Sequence, residues 1–386
     1  MYWWRRFDAG EVKSDFCRIR AAGFDSVRIF LFWEDFQPLP THISGQALNN
    51  LVTVADIAAH HELSLIPTLF TGHMSGVNWI PSWALDARAA ASPRFRVVSG
   101  GRVVSQQIKN WYSDKRIIRA QARLAAEVAA ALGKHSALWA YDLGNENSNC
   151  VVPPTRATAA VWLYMMTAAI RAEDSSHPIT IGLHMEDLEE DRNLSPRDAG
   201  QVCDFLSMHG YPIYAKWARG ATDEMLLPFL GLITRWMSGR DVLFQEFGAP
   251  TVAHDLPITT SHASKIPLLE EDEAARFTGR ALKALRDSGM IGAMLWCYGD
   301  YAGGLWDKPP LDQAVHERSF GLWQSDYRCK PALAEVEKAA GWERIEPECQ
   351  LDWIDMSIDD FYKNPRKSLR RLYRAYLRTH RIDSTG

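Results

Sequence analysis

Two glutamates, 100 residues apart, stand where apolar runs of the chain end. Glu146 closes the run Ala140-Tyr-Asp-Leu-Gly-Asn-Glu146, and Glu246 closes Asp241-Val-Leu-Phe-Gln-Glu246. Such runs are typical of buried parallel strands that reach the rim of a sheet, and the rim of a (β/α)₈ barrel carries its chemistry. Different environments on two strands can keep one carboxyl protonated and the other ionised, as glycoside hydrolysis requires. The alternative is that each glutamate caps a helix or pairs with an arginine.

Composition limits the classes of ligand that the chain can serve. Its 386 residues are 47% hydrophobic, enough for one large domain with a substantial core. The formal net charge of -4 argues against a nucleic-acid surface and favours an uncharged ligand. Fifteen Trp, twelve Tyr and fifteen Phe offer platforms for sugar rings, although most aromatic side chains are expected in the core.

Cysteine and histidine spacing indicates neither disulfides nor a metal. The six cysteines contain no CxxC pair, so we interpret them as reduced thiols. No HxH or HExxH spacing places two imidazoles on one face, so neither metal nor cofactor is expected. The N-terminus has no secretory signal and no apolar run reaches 18 residues, which predicts a cytoplasmic protein if Met1 is the true start.

Strand-like runs alternate with helical periodicity along the chain, which predicts an α/β fold, a (β/α)₈ barrel, with seven strands visible. Asp114 and Thr155 are the expected N-caps of two helices. The predicted strands are Asp25–Phe32, Leu63–Phe70, Ala137–Leu143, Ile179–Leu183, Phe205–Met208, Val242–Gln245 and Ile291–Trp296. The predicted helices are Val12–Ala22, Leu48–His61, Asp114–Leu132, Thr155–Glu173, Asp223–Ser238 and Glu271–Ser288.

The first barrel strand is missing from this pattern, because only eleven residues precede Val12. Either Tyr2–Arg5 forms an irregular first strand or the natural start lies upstream. We favour an upstream start, since a barrel without one strand keeps two unpaired edges.

Two long connections follow predicted strands and are expected to overhang the catalytic face. Thr71–Ser113 includes Phe95–Ser105, a predicted hairpin that turns at Gly100-Gly101, and the second connection is Cys297–Ser319. Simple packing over the barrel mouth is the alternative.

The tail Ser357–Arg381 has helical periodicity and many basic residues. We predict a barrel over residues 1–345 and a basic helical extension over 346–386 that packs on it. Membrane or partner binding is the less favoured interpretation.

The order of these residues along the chain resembles glycoside hydrolase family 5, a family of retaining (β/α)₈ glycosidases. The resemblance spans Val12 to Ala340, and the stretches Phe24–Pro38, Phe70–Trp83 and Glu246–Thr251 look most like the β-mannosidase and endo-β-mannanase branches. The positions that carry it are Arg28, His73, Asn145, Glu146, His209, Tyr211, Glu246 and Trp296.

The resemblance implies a role for each of these residues. Glu246 is the expected nucleophile and Glu146 the acid/base, with Arg28 beside Glu246 to hold it ionised. Tyr211 is expected to donate a hydrogen bond to Glu246, and Asn145 to bind the sugar 2-hydroxyl. His73 and His209 are expected to bind substrate hydroxyls, and Trp296 to be the sugar platform, with a core position as its alternative.

The sequence therefore predicts a retaining glycosidase that acts on β-linked mannosides, exo-acting on soluble oligosaccharides and without a cofactor. The oligosaccharide is its expected partner; nucleic acid and membrane are not. Two alternatives remain open: a β-glucan or cellulase-type hydrolase of the same family, and a catalytically silent sugar-binding barrel.

Overall fold

The computed structural model describes residues 1–90, 94–252, 266–346 and 351–382. The chain divides into two compact units, of which the first comprises Met1–Gly182 with Gln201–Phe205. The second comprises Leu183–Gly200 with Leu206–Gly386.

The first unit alternates strands and helices, with a β-rich insertion after its second strand. Its helices are α1 (Ala9–Ala21), α2 (Trp33–Phe36), α3 (Gly45–His60), α4 (Lys115–Leu132) and α5 (Arg156–Glu173). Its strands are β1 (Ser26–Phe32), β2 (Ser64–Thr71), β3 (His73–Met74), β4 (Val77–Trp79), β5 (Leu85–Ala90), β6 (Arg96–Ser99), β7 (Arg102–Val104), β8 (Gln106–Ile108), β9 (Tyr141–Asn145) and β10 (Ile179–His184), whose last two residues belong to the second unit.

Four strands of the first unit, β1, β2, β9 and β10, pair in parallel in this order. Asp114 and Thr155 cap α4 and α5 through their side chains, as predicted. Helices α4 and α5 pack on each other, and the indole Nε1 of Trp162 donates to Gln121 at 2.8 Å. The buried apolar strands and their covering helices thus bring the carboxyl ends of β1, β2 and β9 to one edge.

The insertion Thr71–Ser113 forms two small sheets, β3-β4-β6-β7 and β5-β8. The predicted hairpin is confirmed: β6 and β7 are antiparallel, and Gly100 and Gly101 between them have φ of 59° and 77°. Positive φ at both turn residues is the type I′ requirement that glycine meets without strain. Trp79 and Trp111 are buried, so these two aromatic side chains of the insertion belong to its packing.

The second unit repeats the strand-helix alternation. Its strands are β11 (Leu206–His209), β12 (Val242–Phe247) and β13 (Gly292–Leu295), which pair in parallel in this order. Its helices are α6 (Glu186–Glu189), α7 (Pro196–Ala199), α8 (Leu226–Ser238), α9 (Glu271–Asp287), α10 (Ala332–Ala339), α11 (Ile358–Lys363) and α12 (Pro365–Ile382).

Helix α12 lays its apolar stripe on α8. The rings of Tyr373 and Tyr376 lie 4.9 and 5.6 Å from that of Phe229. Arg366, on the exposed face of α12, pairs with Glu190 just beyond α6. The amphipathic tail is therefore a packed helix with solvated charges, and no described helix is long and apolar enough to cross a membrane.

Most predicted strands and helices are present within a few residues, and the seven parallel strands are confirmed as a set of four and a set of three. The less favoured alternative of an irregular strand at Tyr2–Arg5 is not observed, because Trp4–Arg6 form a 3₁₀ turn. Cys17, Cys150, Cys203, Cys297 and Cys329 are free thiols, and Cys349 lies outside the described residues.

Candidate active site

In the first unit, Arg28 lies at the centre of a buried polar cluster. Its guanidinium donates to Asp142 at 2.7 and 3.1 Å and to Thr68 at 2.9 Å. Asp142 is fully buried and also accepts from the backbone N–H groups of Gly144 and Gly182, each at 3.1 Å. A buried ion pair of this kind is tolerated because its remaining hydrogen-bonding capacity is used.

This cluster holds Asn145 in one orientation. Nη2 of Arg28 donates to Oδ1 of Asn145 at 2.8 Å, and Nδ2 of Asn145 donates to the carbonyl of His73 at 2.6 Å. Gly144 precedes it, and a Cβ there would lie 2.5 Å from Oδ1 of Asn147, so a larger residue would displace the Asn147 side chain. Asn145 is thus fixed on the rim of β9 by two neighbouring strands.

Glu146 lies one residue beyond β9, at the N-cap of a 3₁₀ turn, with φ 48° and ψ 47°. This left-handed conformation is uncommon for a residue with a side chain and is often found at functional sites. Nδ2 of Asn149 donates to Oε2 of Glu146 at 2.9 Å, and Nε2 of His73 lies 3.9 Å from the same oxygen. Burial raises the pKa of the Cys150 thiol, and the nearby Glu146 carboxylate raises it further.

The tautomer of His73 follows from its hydrogen-bond network. Nδ2 of Asn78 donates to the carbonyl of Asn149 at 3.0 Å, so Oδ1 of Asn78 faces Nδ1 of His73 at 2.8 Å. An acceptor at that position assigns the proton of a neutral imidazole to Nδ1. The unprotonated Nε2 then directs its lone pair towards the carboxyl group of Glu146. This arrangement is compatible with a protonated carboxylic acid at Glu146.

In the second unit, Glu246 lies within β12 and its side chain is 8% exposed. The phenol of Tyr211 donates to Oε2 of Glu246 at 2.8 Å, the hydrogen bond expected from the sequence. Nδ1 of His209 lies 3.7 Å from Oε1 of Glu246, while Nε2 of His209 lies 3.0 Å from Oε1 of Gln245. The hydrogen bond from Tyr211 fixes the orientation of this carboxyl group.

The chain after Glu246 is positioned by a close backbone approach. A Cβ on Gly248 would lie 2.3 Å from the carbonyl oxygen of Trp296, so only glycine permits this contact. The backbone N–H of Trp296 donates to Phe247 at 2.8 Å, which sets Trp296 at the end of β13 beside β12. Trp296 is half-buried, so the alternative of a fully buried core position is not observed.

The predicted site residues thus form two groups, each inside one unit. Arg28, His73, Asn145 and Glu146 lie together in the first unit, and His209, Tyr211, Glu246 and Trp296 lie in the second. The ion pair of Arg28 is with Asp142, a partner that the sequence analysis missed. The expected influence of Arg28 on Glu246 stays a prediction.

Four further polar residues of these groups were missed: Thr68, Asn78, Asp142 and Asn149. Asp142 could have been predicted from the sequence. It is the single acidic residue of an apolar strand, where a buried acid needs a partner of opposite charge, and Arg28 is the single basic residue within another apolar strand. Asn78 and Asn149 lie outside periodic segments and carried no such signal.

The proteins found to be similar to this chain are solved structures. No protein-family model matches the chain, and no curated protein matches it. GH5_18 from Streptomyces cattleya, solved in complex with GlcNAc, has a TM-score of 0.78 at 22% identity and covers 99% of this chain and 88% of its own. A GH5_18 variant from Bifidobacterium longum subsp. longum ATCC 55813, solved in complex with Manb1-4GlcNAc, has a TM-score of 0.73 at 20% identity, covering 90% and 77%.

A third neighbour is the exo-beta-1,4-mannosidase Op5Man5 from Opitutaceae bacterium strain TAV5. Its TM-score is 0.72 at 25% identity, with 97% of this chain and 64% of the neighbour covered. The chain therefore has the fold of GH5_18 enzymes, and the resemblance to glycoside hydrolase family 5 predicted from its motifs is confirmed.

Proposed function

We propose that the protein is a retaining glycoside hydrolase that cleaves β-linked mannosides on a complete (β/α)₈ barrel. The observation that carries the proposal is that two carboxyl groups, Glu146 and Glu246, each stand at the end of a parallel strand within a dedicated hydrogen-bond network. The structural neighbours support the same reaction, since they include GH5_18 enzymes and an exo-beta-1,4-mannosidase.

Glu246 acts as the nucleophile in this mechanism. Its carboxylate oxygen attacks the anomeric carbon of the mannoside while the bond from that carbon to the leaving oxygen breaks. The hydrogen bond from Tyr211 fixes the direction of the attacking carboxylate. The product of this step is a covalent glycosyl ester on Glu246.

Glu146 acts first as an acid and then as a base. It gives its proton to the leaving oxygen in the first step and takes a proton from the attacking water in the second, which restores both carboxyl groups. Asn149 donates a hydrogen bond to Oε2 of Glu146, and His73 lies beside the same oxygen. The mechanism needs the two carboxyl groups about 5–5.5 Å apart on either side of one glycosidic bond.

Asn145 is proposed to bind the 2-hydroxyl of the sugar, because its amide is fixed by Arg28 and by the carbonyl of His73. His73 and His209 are proposed to contact further hydroxyls, and Trp296 to be the platform for the ring.

No step requires a metal or cofactor. A cytoplasmic location stays a prediction.

The ligands and activities named for the structural neighbours favour mannosides over glucosides. Manb1-4GlcNAc is bound in one GH5_18 structure, and Op5Man5 is named an exo-beta-1,4-mannosidase. We therefore propose exo action on soluble oligosaccharides.

The test is hydrolysis of nitrophenyl β-mannoside, nitrophenyl β-glucoside and a panel of mannose and glucose oligosaccharides, followed over time. We expect early release of single mannose units and a preference over glucose of roughly tenfold or more, since one mispositioned hydroxyl costs about 1–3 kcal/mol. Faster release of glucose would favour a β-glucan hydrolase, and no hydrolysis would favour a silent binding protein. NMR of the first-formed anomer separately tests retention.

A further inference from the structure

The first unit contains a polar cleft that the site residues above do not line. It has a volume of about 640 Å³, within the usual size of small-molecule sites. Asp86, Gln107 and Lys109 line one side, from the sheet β5-β8 and the residue after it, and Cys150, Val151 and Val152 line the other. All of these residues lie in the first unit.

The second wall of the cleft is the chain that continues directly from Glu146. Asn149 donates to the Glu146 carboxylate, and the next residue, Cys150, is the first cleft residue. Nδ2 of Asn110 donates to the carbonyl of Val152 at 2.7 Å and so ties this segment to the opposite wall. The cleft therefore begins beside the proposed catalytic acid, in a segment held at both ends.

The lining favours a neutral ligand that is rich in hydroxyl groups. Asp86 disfavours an anion and Lys109 disfavours a cation, while Gln107 offers both a donor and an acceptor. The half-buried Val151 and the exposed Val152 add apolar surface, on which the C–H face of a sugar ring can lie. This alternation of polar edges and apolar patches suits a pyranose chain.

We propose that this cleft binds the leaving-group end of the substrate, beyond the sugar released at the cleaved bond. The inference rests on the proposed function, because a catalytic acid must face the leaving oxygen and the leaving group must therefore depart along the side of Glu146. An exo-acting enzyme with this cleft distinguishes substrates by the length of the leaving group. A substrate with two or more sugars after the cleaved bond makes contacts in the cleft that a nitrophenyl group cannot make.

The test is the double variant Asp86→Ala/Gln107→Ala, with Arg102→Ala on the adjacent strand β7 as the matched control outside the cleft. The measured quantity is kcat/KM for β1-4-mannotriose divided by kcat/KM for nitrophenyl β-mannoside. We expect this ratio to fall roughly three- to tenfold in the double variant, mainly through KM, as for the loss of one or two hydrogen bonds. Arg102→Ala should keep the ratio of the parent.

Binding gives a second measurement that does not depend on turnover. Titration with β1-4-mannobiose, the leaving product of mannotriose, is made in a Glu246→Ala background so that the ligand is not hydrolysed. Binding should be weaker when Asp86→Ala/Gln107→Ala is added than when Arg102→Ala is added or when neither is present. An unchanged ratio or equal mannobiose affinity overturns the cleft proposal. A parent that binds mannobiose through the cleft but hydrolyses no mannoside overturns the proposed function and keeps the cleft.

Discussion

The two proposed catalytic carboxyl groups have different local structures. Glu246 lies within strand β12, where a phenol donates to it and its side chain is 8% exposed. Glu146 lies just past a strand in a left-handed conformation, where an amide donates to it and its side chain is 13% exposed.

This difference matches the two roles. A nucleophile works best at one fixed position, and a strand with a single hydrogen-bonded rotamer provides it. An acid/base must serve the leaving oxygen in one step and water in the next, so a rim position beside an open cleft suits it. The residues around each glutamate therefore distinguish the roles, and variants of those residues test the distinction.

The largest expected effect comes from removing either carboxyl group. Glu146→Ala should lower kcat by about 10²–10⁴-fold for mannobiose, the usual contribution of general acid–base catalysis. The loss should be smaller for dinitrophenyl mannoside, since a good leaving group needs less protonation. Glu246→Ala should lose more activity on both substrates, because the nucleophile is needed whatever the leaving group.

Azide separates the two roles in a way that activity loss does not. With Glu146→Ala, azide attacks the glycosyl ester on Glu246, so the β-glycosyl azide should form. With Glu246→Ala, azide attacks the substrate directly and the α-glycosyl azide should form. The reverse pattern in the NMR spectra would exchange the two assignments, and near-normal activity of either variant would contradict both.

A comparably large effect on stability is expected from the ion pair inside the first group. Arg28→Met leaves the buried Asp142 carboxylate without its counter-charge, which should cost about 3–5 kcal/mol in the free energy of unfolding. Urea unfolding measures this change, and Arg18→Met, on the half-exposed surface of α1, is the control. The double variant Arg28→Met/Asp142→Leu should recover part of the loss, and a loss below about 1 kcal/mol in the single variant would show that the pair is not structural.

A smaller effect separates two neighbouring tyrosines of the second unit. Tyr211→Phe removes the hydrogen bond to Glu246 and should lower kcat roughly tenfold, as expected for a bond to a charged group of about 1.5–3 kcal/mol. Tyr214→Phe removes a hydrogen bond to Glu317 instead, and its ring is 5.6 Å from that of Tyr211. Equal losses in the two variants would argue against a specific role of Tyr211.

The strand-end positions of both glutamates were predictable because each follows an apolar run, and buried parallel strands make such runs visible. Strand β9 shows the limit of this signal. Its predicted start was Ala137, whereas the structure has β9 from Tyr141, with Leu138 forming only an isolated bridge to Leu65. The hydrophobicity of this stretch indicates that it is buried. Whether its residues form a β-strand depends on hydrogen bonds to the neighbouring strand.

The side chains that orient the glutamates were predictable only in part. Tyr211 was found through its place in the family pattern, whereas Asn149 and Asn78 reach their partners through a 3₁₀ turn and a three-residue strand. The sheets within Thr71–Ser113 were likewise only partly visible. Their strands of two to six residues pair across separate parts of the insertion, which leaves no periodicity to detect.

The smallest predicted effect concerns a buried Tyr–Asp pair in each unit, and it depends on pH. Tyr141 donates to Asp174 at 2.9 Å in the first unit, and Tyr373 donates to Asp223 at 2.6 Å in the second. Burial opposes ionisation of Asp174, but hydrogen bonds from Ser176, Tyr141 and His177 outweigh it and hold its pKa below the usual value. The stability that a lowered carboxyl pKa provides is present above the unfolded pKa of about 3.9 and is lost as pH falls.

Tyr141→Phe should therefore lower the free energy of unfolding by about 1 kcal/mol at pH 7, and the loss should shrink only at the acidic pH where Asp174 becomes protonated in the folded protein, which its lowered pKa places below the unfolded pKa of about 3.9. Urea unfolding at several pH values measures both quantities. Tyr164→Phe, whose ring is 66% exposed on α5, should be neutral throughout. Carbon-13 NMR of the Asp174 carboxyl group gives its pKa in the folded parent and in Tyr141→Phe. An equal pKa in the two proteins would show that the phenol stabilises the fold by packing alone, and that the ionised form of Asp174 gains nothing from it.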